Sequence, residues 1–298
     1  MKFISRNLSN IAAAIFTLVI GVTATAAYGQ ITKADSKAYK AEHKTYNREF
    51  CSNNNWHSDE NTSVRDLREM TLPSSREVNV DGNRNGGVSV KGEDRSDILV
   101  RACVQAWAKT EEEANAIAQG VKINASQTIT AENSVGDKNW SVSYELRVPR
   151  NTDLNITAHN GGISISDVNG TMTFETTNGG VSLSGLAGSV KGRTTNGGVN
   201  VKLAGTSWNG SGLEVVTSNG GVNLIMSKNY SANVDTGTVN GGYRSDIPAL
   251  AITTEDIKGD YYHPRNKRIQ TNLNGGGAPI KVSTTNGGVR ISTIEDNE

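Results

Sequence analysis

The stretch Thr176-Thr177-Asn178-Gly179-Gly180-Val181-Ser182-Leu183 returns 18 residues later as Thr194-Thr195-Asn196-Gly197-Gly198-Val199-Asn200-Val201. Its central tripeptide, Asn-Gly-Gly, occurs eight times in the chain, beginning at Asn85, Asn160, Asn178, Asn196, Asn219, Asn240, Asn274 and Asn286. The steps from Asn160 to Asn178 and on to Asn196 are both 18 residues, and the next two steps are 23 and 21. A unit of about 18 residues with small insertions is therefore repeated, which indicates a repeat architecture.

Apolar side chains alternate on both sides of each turn. After the turn the alternating pairs are Val88/Val90, Ile163/Ile165, Val181/Leu183, Val199/Val201, Val222/Leu224 and Val289/Ile291. Before the turn, the positions six, four and two residues ahead of the asparagine also align, as in Met172/Phe174/Thr176 and Val190/Gly192/Thr194. A period of two is typical of strands, so each unit is predicted to contribute one strand before the turn and one after it.

These strands predict an all-β fold, specifically a single-stranded parallel β-helix or β-roll-like solenoid whose coils stack about 4.8 Å apart. A plain β-hairpin turn would also explain the glycines, but it would not explain the fixed step. Stacked turns would align the asparagines, whose amides could then hydrogen-bond along the axis. We expect the glycines to be needed for a positive φ, and we expect Phe174 to fill the space that Gly192 leaves one coil away.

Changes in composition and periodicity along the chain predict three segments. Residues 1–29 are typical of a secretory signal peptide, with a positively charged start and an apolar stretch that is too short to span a bilayer comfortably. Residues 30–70 are polar, have no clear period and are expected to be partly flexible. Residues 71–298 form the predicted solenoid, with one short α-helix near 111–120, where Thr110 begins a capping box and Ala114, Ile117, Ala118 and Val121 form an apolar face.

Composition narrows the classes of function. Thirty basic residues balance thirty acidic ones, and such a balance argues against a nucleic-acid partner. After export, Cys51 and Cys103 would lie in an oxidising compartment, where a disulfide between them would contribute roughly 4 kcal/mol. We predict this disulfide, a periplasmic, extracellular or cell-surface location, and no transmembrane segment in the mature chain.

The search for chemistry finds no catalytic constellation, cofactor motif or metal-ligand spacing, because the four histidines are scattered and no known motif surrounds them. Four charged residues predicted to point outward on adjacent coils are the candidates for a polysaccharide-acting enzyme: Glu175, Lys191, Arg193 and Glu214. Solvated salt bridges are the simpler interpretation of these four residues.

Two insertions are candidate ligand contacts. The longer one, between Asn240 and Asn274, mixes aromatic and basic groups, as sugar or phosphate sites often do; the candidate residues are Tyr261, Tyr262, His263, Arg265 and Arg268. The shorter one places Trp208 where a ligand could stack. For both insertions the competing interpretation is a loop that simply packs against the strands.

The chain resembles a bacterial family of exported proteins of unknown function that are usually called putative adhesins. The resemblance rests on Val142-Ser143-Tyr144-Glu145-Leu146-Arg147-Val148-Pro149, on the repeated Thr-Thr-Asn-Gly-Gly-Val units and on Asn274-Gly275-Gly276-Gly277-Ala278-Pro279-Ile280-Lys281-Val282. It covers about residues 71–293 and implies a solenoid fold, with no catalytic or binding residue to carry over.

The functional hypothesis is therefore a non-enzymatic exported scaffold that binds a cell-surface polysaccharide or an envelope protein. The alternative from a different class is a polysaccharide-acting enzyme built on the same strands. A purely structural envelope component is a third reading that the sequence does not separate from the first.

Overall fold

The structure, a computed structural model, describes residues 50–52, 61–134, 138–251 and 267–294. The chain divides into two units, residues 1–44 and 45–298, and all described residues belong to the second. The predicted signal peptide and four of the five candidate loop residues (Tyr261, Tyr262, His263 and Arg265) lie outside the described residues.

Most of the described residues lie in strands, which confirms the all-β prediction. The helical elements among them are α1 (Glu111–Gly120) and a short 3-10 helix (Pro248–Leu250). The strands are β1 (Thr62–Pro73), β2 (Glu77–Asp81), β3 (Val88–Glu93), β4 (Asp97–Ala108), β5 (Val121–Asn124), β6 (Thr130–Asn133), β7 (Trp140–Pro149), β8 (Asp153–Ala158), β9 (Ile163–Ser166), β10 (Asn169–Thr176), β11 (Val181–Ser184), β12 (Ala187–Asn196), β13 (Val199–Lys202), β14 (Gly212–Asn219), β15 (Val222–Met226), β16 (Ala232–Asn240), β17 (Tyr243–Ser245), β18 (Lys267–Leu273), β19 (Pro279–Asn286) and β20 (Val289–Thr293).

Two large sheets contain these strands. The ten-stranded sheet has the order β1-β4-β7-β3-β9-β11-β13-β15-β20-β17, the eight-stranded sheet has the order β18-β16-β19-β14-β12-β10-β8-β2, and β5 and β6 form a separate pair. Most pairs are parallel, but β1–β4, β4–β7 and β16–β18 are antiparallel. Both large sheets are therefore mixed, and both are open.

The repeat determines the register in both sheets. Strands before the turns pair with each other in the eight-stranded sheet, and strands after the turns pair in the ten-stranded sheet, as in Phe174 opposite Gly192 and Val181 opposite Val199. The alternating residues that the sequence analysis assigned to the interior form the core, with Ile156, Ile165, Leu224 and Val282 fully buried. The predicted strands and their inward faces are thus confirmed.

The stacking order departs from the order of the sequence. Strands β19 and β20, at the end of the described chain, lie between the pair β14/β15 and the pair β16/β17. Consequently Asn219 and Asn240 both pair with Asn286 rather than with each other. The repeat units resemble one another, so their period does not encode which unit is the neighbour. Strand β18 pairs with the edge of β16 that faces away from β19. The repeat period does not predict this long-range contact either.

The positive φ expected at the first glycine of each turn is confirmed at Gly275 (92°) and Gly287 (156°), and it is wrong for the other turns. The first glycine after the asparagine does not have a left-handed φ in the turns at Gly161, Gly179, Gly197, Gly220 and Gly241. A Cβ built on Gly179 would instead lie 2.0 Å from the carbonyl oxygen of Gly161 in the neighbouring turn. A Cβ built on the first glycine of five other turns would lie 1.9–2.1 Å from the carbonyl oxygen of a glycine in the turn next to it; these glycines are Gly161, Gly197, Gly220, Gly241 and Gly287. Glycine is required because stacked turns approach closely, and that approach exists only between units.

The end of the segment that was predicted to be partly flexible forms a strand. Residues 62–70 belong to β1, which pairs with β4 along its whole length. Its burial does not alternate cleanly, so the sequence contains little sign of it. Arg68 of β1 donates a hydrogen bond from Nη2 to the carbonyl oxygen of Ala118 in α1, over 2.7 Å, which shows that distant parts of the chain order this strand.

The helix and the disulfide agree with the predictions. Helix α1 begins after Thr110, whose side chain accepts a hydrogen bond from the Glu113 amide over 3.2 Å. Its buried residues Ala114 and Ala118 pack toward β1 and β4. A disulfide joins Cys51 to Cys103, with their Cα atoms 5.5 Å apart.

A column of buried threonines ties each turn to its neighbour. Thr176, Thr194, Thr217, Thr238 and Thr284 are at most 5% exposed, and each hydroxyl donates to the carbonyl oxygen of a turn glycine on the adjacent unit over 2.7–2.8 Å. Each buried hydroxyl thus gives a partly buried turn carbonyl a hydrogen-bond donor from the adjacent unit.

Replacing Thr194 with valine is expected to destabilise the protein by about 1 kcal/mol, because the partly buried carbonyl oxygen of Gly179 would lose its hydrogen-bond donor. Urea denaturation would measure the change in the free energy of unfolding. Thr194→Ser retains the hydroxyl, and Thr195→Val alters the exposed next residue, so both controls should stay near the parent protein. Equal losses for Thr194→Val and Thr195→Val would contradict the role of the buried hydroxyl.

Candidate binding groove

A groove of about 890 Å³ runs across the outer surface of the ten-stranded sheet. Five parallel strands, β3, β9, β11, β13 and β15, cross beneath it. Each contributes the second glycine of its turn, the buried residue that begins the strand, and the small polar residue that follows. The lining consists of these residues together with Phe50 and Ser143: Gly87, Val88, Ser89, Gly162, Ile163, Ser164, Gly180, Val181, Ser182, Gly198, Val199, Asn200, Gly221, Val222 and Asn223.

The repeat itself builds this groove. Because the strands pair in register, the polar residues form one column, Ser89, Ser164, Ser182, Asn200 and Asn223, with one member per strand. A spacing of about 4.8 Å between strands makes the column about 19 Å long. Glycines on one side and short side chains in the column leave a depression that longer side chains would fill. The short polar residue that follows the first buried residue of each of these strands is the signal of this groove in the sequence.

An asparagine ladder lies beside the groove. Asn160, Asn178, Asn196, Asn219, Asn286 and Asn240 each donate a side-chain hydrogen bond to the next ladder asparagine, with Asn85 at one end and with donor–acceptor distances of 2.8–2.9 Å. The predicted alignment of asparagines is confirmed for these seven. The eighth, Asn274, lies in a different turn, where it donates to the carbonyl oxygens of Lys228 and Tyr230. The ladder holds the turns beside the groove in a fixed arrangement.

The disulfide positions the aromatic end of the groove. Phe50 precedes Cys51, and its ring lines the groove while its centroid lies 5.4 Å from the guanidinium carbon of Arg101. Arg101 is 1% exposed and donates to Glu69 Oε1 over 2.7 Å and to Glu145 Oε2 over 2.8 Å. The guanidinium group near the ring is therefore paired with two acidic side chains, and Phe50 is held at the groove by both the disulfide and the cation–π contact.

No ionisable side chain is among the residues that line the groove in the described part of the protein. Five glycines and a column of hydroxyl and amide groups make a surface that is uncharged, partly apolar and able to donate and accept hydrogen bonds. Such a lining can hold a neutral ligand, and none of the lining residues offers the serine hydroxyls a general base.

The four charged candidates lie on the outer face of the eight-stranded sheet, as predicted, beside a smaller cavity of about 300 Å³. Arg193 donates to Glu175 over 2.6 Å, and Glu214 accepts from Lys281 over 2.6 Å with Lys191 3.9 Å away. The hydrogen bond from Lys281 lowers the pKa of Glu214. A general acid needs the opposite shift, so this arrangement corresponds to surface ion pairs.

The described candidate residues of the two insertions, Arg268 and Trp208, both contact other parts of the protein. Arg268 lies in β18 and its guanidinium binds the carboxylate of Asp235, which lowers the pKa of Asp235. Trp208 is only 8% exposed, and its indole Nε1 donates to the carbonyl oxygen of Gly188 over 2.9 Å. It packs into the core instead of offering a stacking surface, because its inserted loop folds back against β12.

Two further searches cover only the described residues. None of them forms a group of three or more His, Cys, Asp or Glu side chains that could hold a metal ion. The helices found there are also too short or too polar to cross a membrane.

Comparison with known proteins found no matching family model and no curated protein. Solved structures do match. A "putative cell adhesion protein" from Clostridium sporogenes is 8% identical, with a TM-score of 0.38 over 77% of this chain and 100% of that one. A "putative adhesin" from Bacteroides fragilis is 9% identical, with a TM-score of 0.38 over 78% and 97%. A "putative lipid binding protein" from Parabacteroides distasonis is 10% identical, with a TM-score of 0.24 over 78% and 97%. We rest no argument on these similarities.

Proposed function

We propose that this protein is an exported, non-enzymatic binding scaffold whose ligand lies in the groove of the ten-stranded sheet. The observation that carries the proposal is the groove itself, which crosses five strands without a charged side chain in its lining. Binding sites are typically concave, largely apolar and supplied with a few polar groups that orient the ligand. The groove combines these properties.

The scaffold in this proposal is a β-solenoid that extends over residues 71–298, and β1 begins before it, at Thr62. Parallel pairing in an 18-residue register supports it, as do the turn glycines stacked on one another and the continuous asparagine ladder. A rigid stack of this kind keeps the groove open without a ligand, so little ordering entropy opposes binding.

Export is supported by the apolar N-terminal stretch and by the disulfide, since disulfides persist in oxidising compartments. Mass spectrometry of the protein recovered from a secreting host is expected to find an N-terminus near residue 30 and a mass two hydrogens below that of the reduced chain. Recovery of an uncleaved, fully reduced chain from the cytoplasm would contradict this part of the proposal.

The enzyme alternative has weaker support. It requires clustered acids in a groove, but Glu175 and Glu214 are engaged by Arg193, Lys191 and Lys281. We therefore favour a binding function for the protein over catalysis by these charged residues.

Blocking the groove tests the proposal. Ser182→Trp would place a large side chain at the exposed centre of the column, and Thr173→Trp would place the same side chain on the exposed face of the eight-stranded sheet. Each full chain would be tested against a panel of neutral polysaccharides, anionic polysaccharides, unmodified peptides and lipid vesicles. We expect a probe that loses binding to Ser182→Trp and keeps binding to Thr173→Trp. The opposite pattern would move the site to the eight-stranded sheet and contradict the proposed groove.

A further inference from the structure

We infer that the groove binds a neutral, unbranched polysaccharide laid across the strands, with Phe50 as the stacking platform at one end. This inference rests on the proposed binding function and specifies the class of ligand. It follows from the charge of the lining, from the spacing of its polar groups and from the position of the aromatic ring.

The groove on the ten-stranded sheet differs in charge from the cavity on the eight-stranded sheet. The cavity on the eight-stranded sheet is lined by Glu175, Lys191, Arg193 and Glu214, whereas the groove is lined by glycine, small polar and apolar residues apart from Phe50. An anionic polymer would need Lys or Arg partners for its carboxylate, sulfate or phosphate groups. The groove contains neither residue, so its complement is an uncharged chain.

Spacing favours a sugar polymer over a peptide. The polar column presents one hydroxyl or amide group about every 4.8 Å, which is close to the length of one pyranose ring in an extended chain. One hydroxyl group of each sugar unit could therefore meet one member of the column, Ser164, Ser182 and Asn200 in succession. An extended peptide advances about 3.3 Å per residue, so its backbone groups would fall out of step with the strands. An acyl chain would leave the hydroxyl and amide groups without partners.

Phe50 supplies an aromatic surface for stacking, which the polar column does not contain. A pyranose ring has an apolar face, and an aromatic ring combines a large apolar area with a fixed orientation. The Phe50 ring is partly exposed at the groove, is anchored through Cys51 and lies over Arg101. A ring held in this way loses little freedom when a ligand binds.

The chain segment that precedes Phe50 is a poorer occupant. Residues 30–49 contain Lys33, Asp35, Lys37, Lys40, Glu42, Lys44, Arg48 and Glu49. Placing so many charges in an uncharged, partly apolar groove would cost desolvation energy without compensating partners.

Affinity electrophoresis of the full chain tests the inference, with native gels that contain a neutral linear glucan, mannan or xylan. The expected result is retardation by at least one of these polymers, a loss of affinity of about tenfold for Phe50→Ala and a greater loss for Ser182→Trp. Thr173→Trp should migrate like the parent protein, and circular dichroism of each variant would verify the fold.

The outcomes separate this inference from the broader proposal. Binding only to polygalacturonate, peptides or vesicles, with loss in Ser182→Trp, would overturn the neutral polysaccharide while leaving the groove as the binding site. Retardation by a neutral polysaccharide that is unchanged in both Ser182→Trp and Phe50→Ala would overturn the groove as well. Failure of every neutral polymer to retard the parent protein would overturn the inference.

Discussion

Gly179→Ala is expected to prevent the chain from reaching its folded state or to leave only a strongly destabilised product. The new Cβ would lie 2.0 Å from the carbonyl oxygen and 2.4 Å from the carbonyl carbon of Gly161, and both atoms belong to the backbone. Overpacking of side chains typically costs about 1 to 3 kcal/mol. A clash with backbone should exceed that range, because relief requires two units to separate and so breaks the ladder bonds on both sides.

Gly180→Ala is the matched control for this prediction. Its Cβ would approach the carbonyl oxygen of Gly198 no closer than 3.5 Å, which is an ordinary contact. We expect Gly180→Ala to fold with a cost below about 1 kcal/mol, as measured by urea denaturation and by the yield of soluble protein. Comparable losses at Gly179 and Gly180 would show that the turn requires glycine for flexibility rather than for the close approach of neighbouring turns.

Gly192→Ala is the second substitution with a large expected effect. Gly192 lies opposite Phe174 on the adjacent strand, and a Cβ at Gly192 would lie 2.0 Å from Cε2 of the phenylalanine ring. Phe174 is 4% exposed, so its ring would have to move against its packed neighbours to make room for the new methyl group. We expect a loss of about 3 kcal/mol in the free energy of unfolding, the upper end of the usual range for an overpacked core.

A double-mutant cycle distinguishes a clash with Phe174 from a simple intolerance of side chains at residue 192. Phe174→Leu removes the ring and should itself destabilise the protein by leaving a cavity. The double variant should be more stable than Gly192→Ala alone, because the smaller leucine leaves room for the new methyl group. Additive losses in the two single variants would contradict the size complementarity of this pair.

The local structure of this protein follows closely from its sequence. Alternation around Asn178 and Asn196 predicts the strands and the buried face, and the spacing of 18 residues predicts parallel register. The capping pattern after Thr110 predicts α1. Each of these features depends on residues near one another in the chain, or on a repeat that makes distant units equivalent.

The candidate groove could be predicted only in part. The glycine and the small polar residue of each unit can be read in the sequence, as with Gly180-Val181-Ser182, but their alignment into one surface depends on pairing between units. Phe50 lies far from those units in sequence and reaches the groove through the bond between Cys51 and Cys103. A cluster of aromatic and basic residues, such as the one between Tyr261 and Arg268, is easier to recognise in a sequence than this groove, because it does not depend on pairing between distant units.

The strand period, the inward residues, the turn tripeptide and the pairing of Phe174 with Gly192 can all be predicted from the amino-acid sequence. The three-dimensional structure was needed to show that β19 lies between β14 and β16, that β1 is ordered by β4 and α1, and that the turn glycines are needed for close approach. The physical reason is that a repeat specifies how each unit packs against an equivalent unit. It does not specify which unit is adjacent, nor where the non-repeating segments lie.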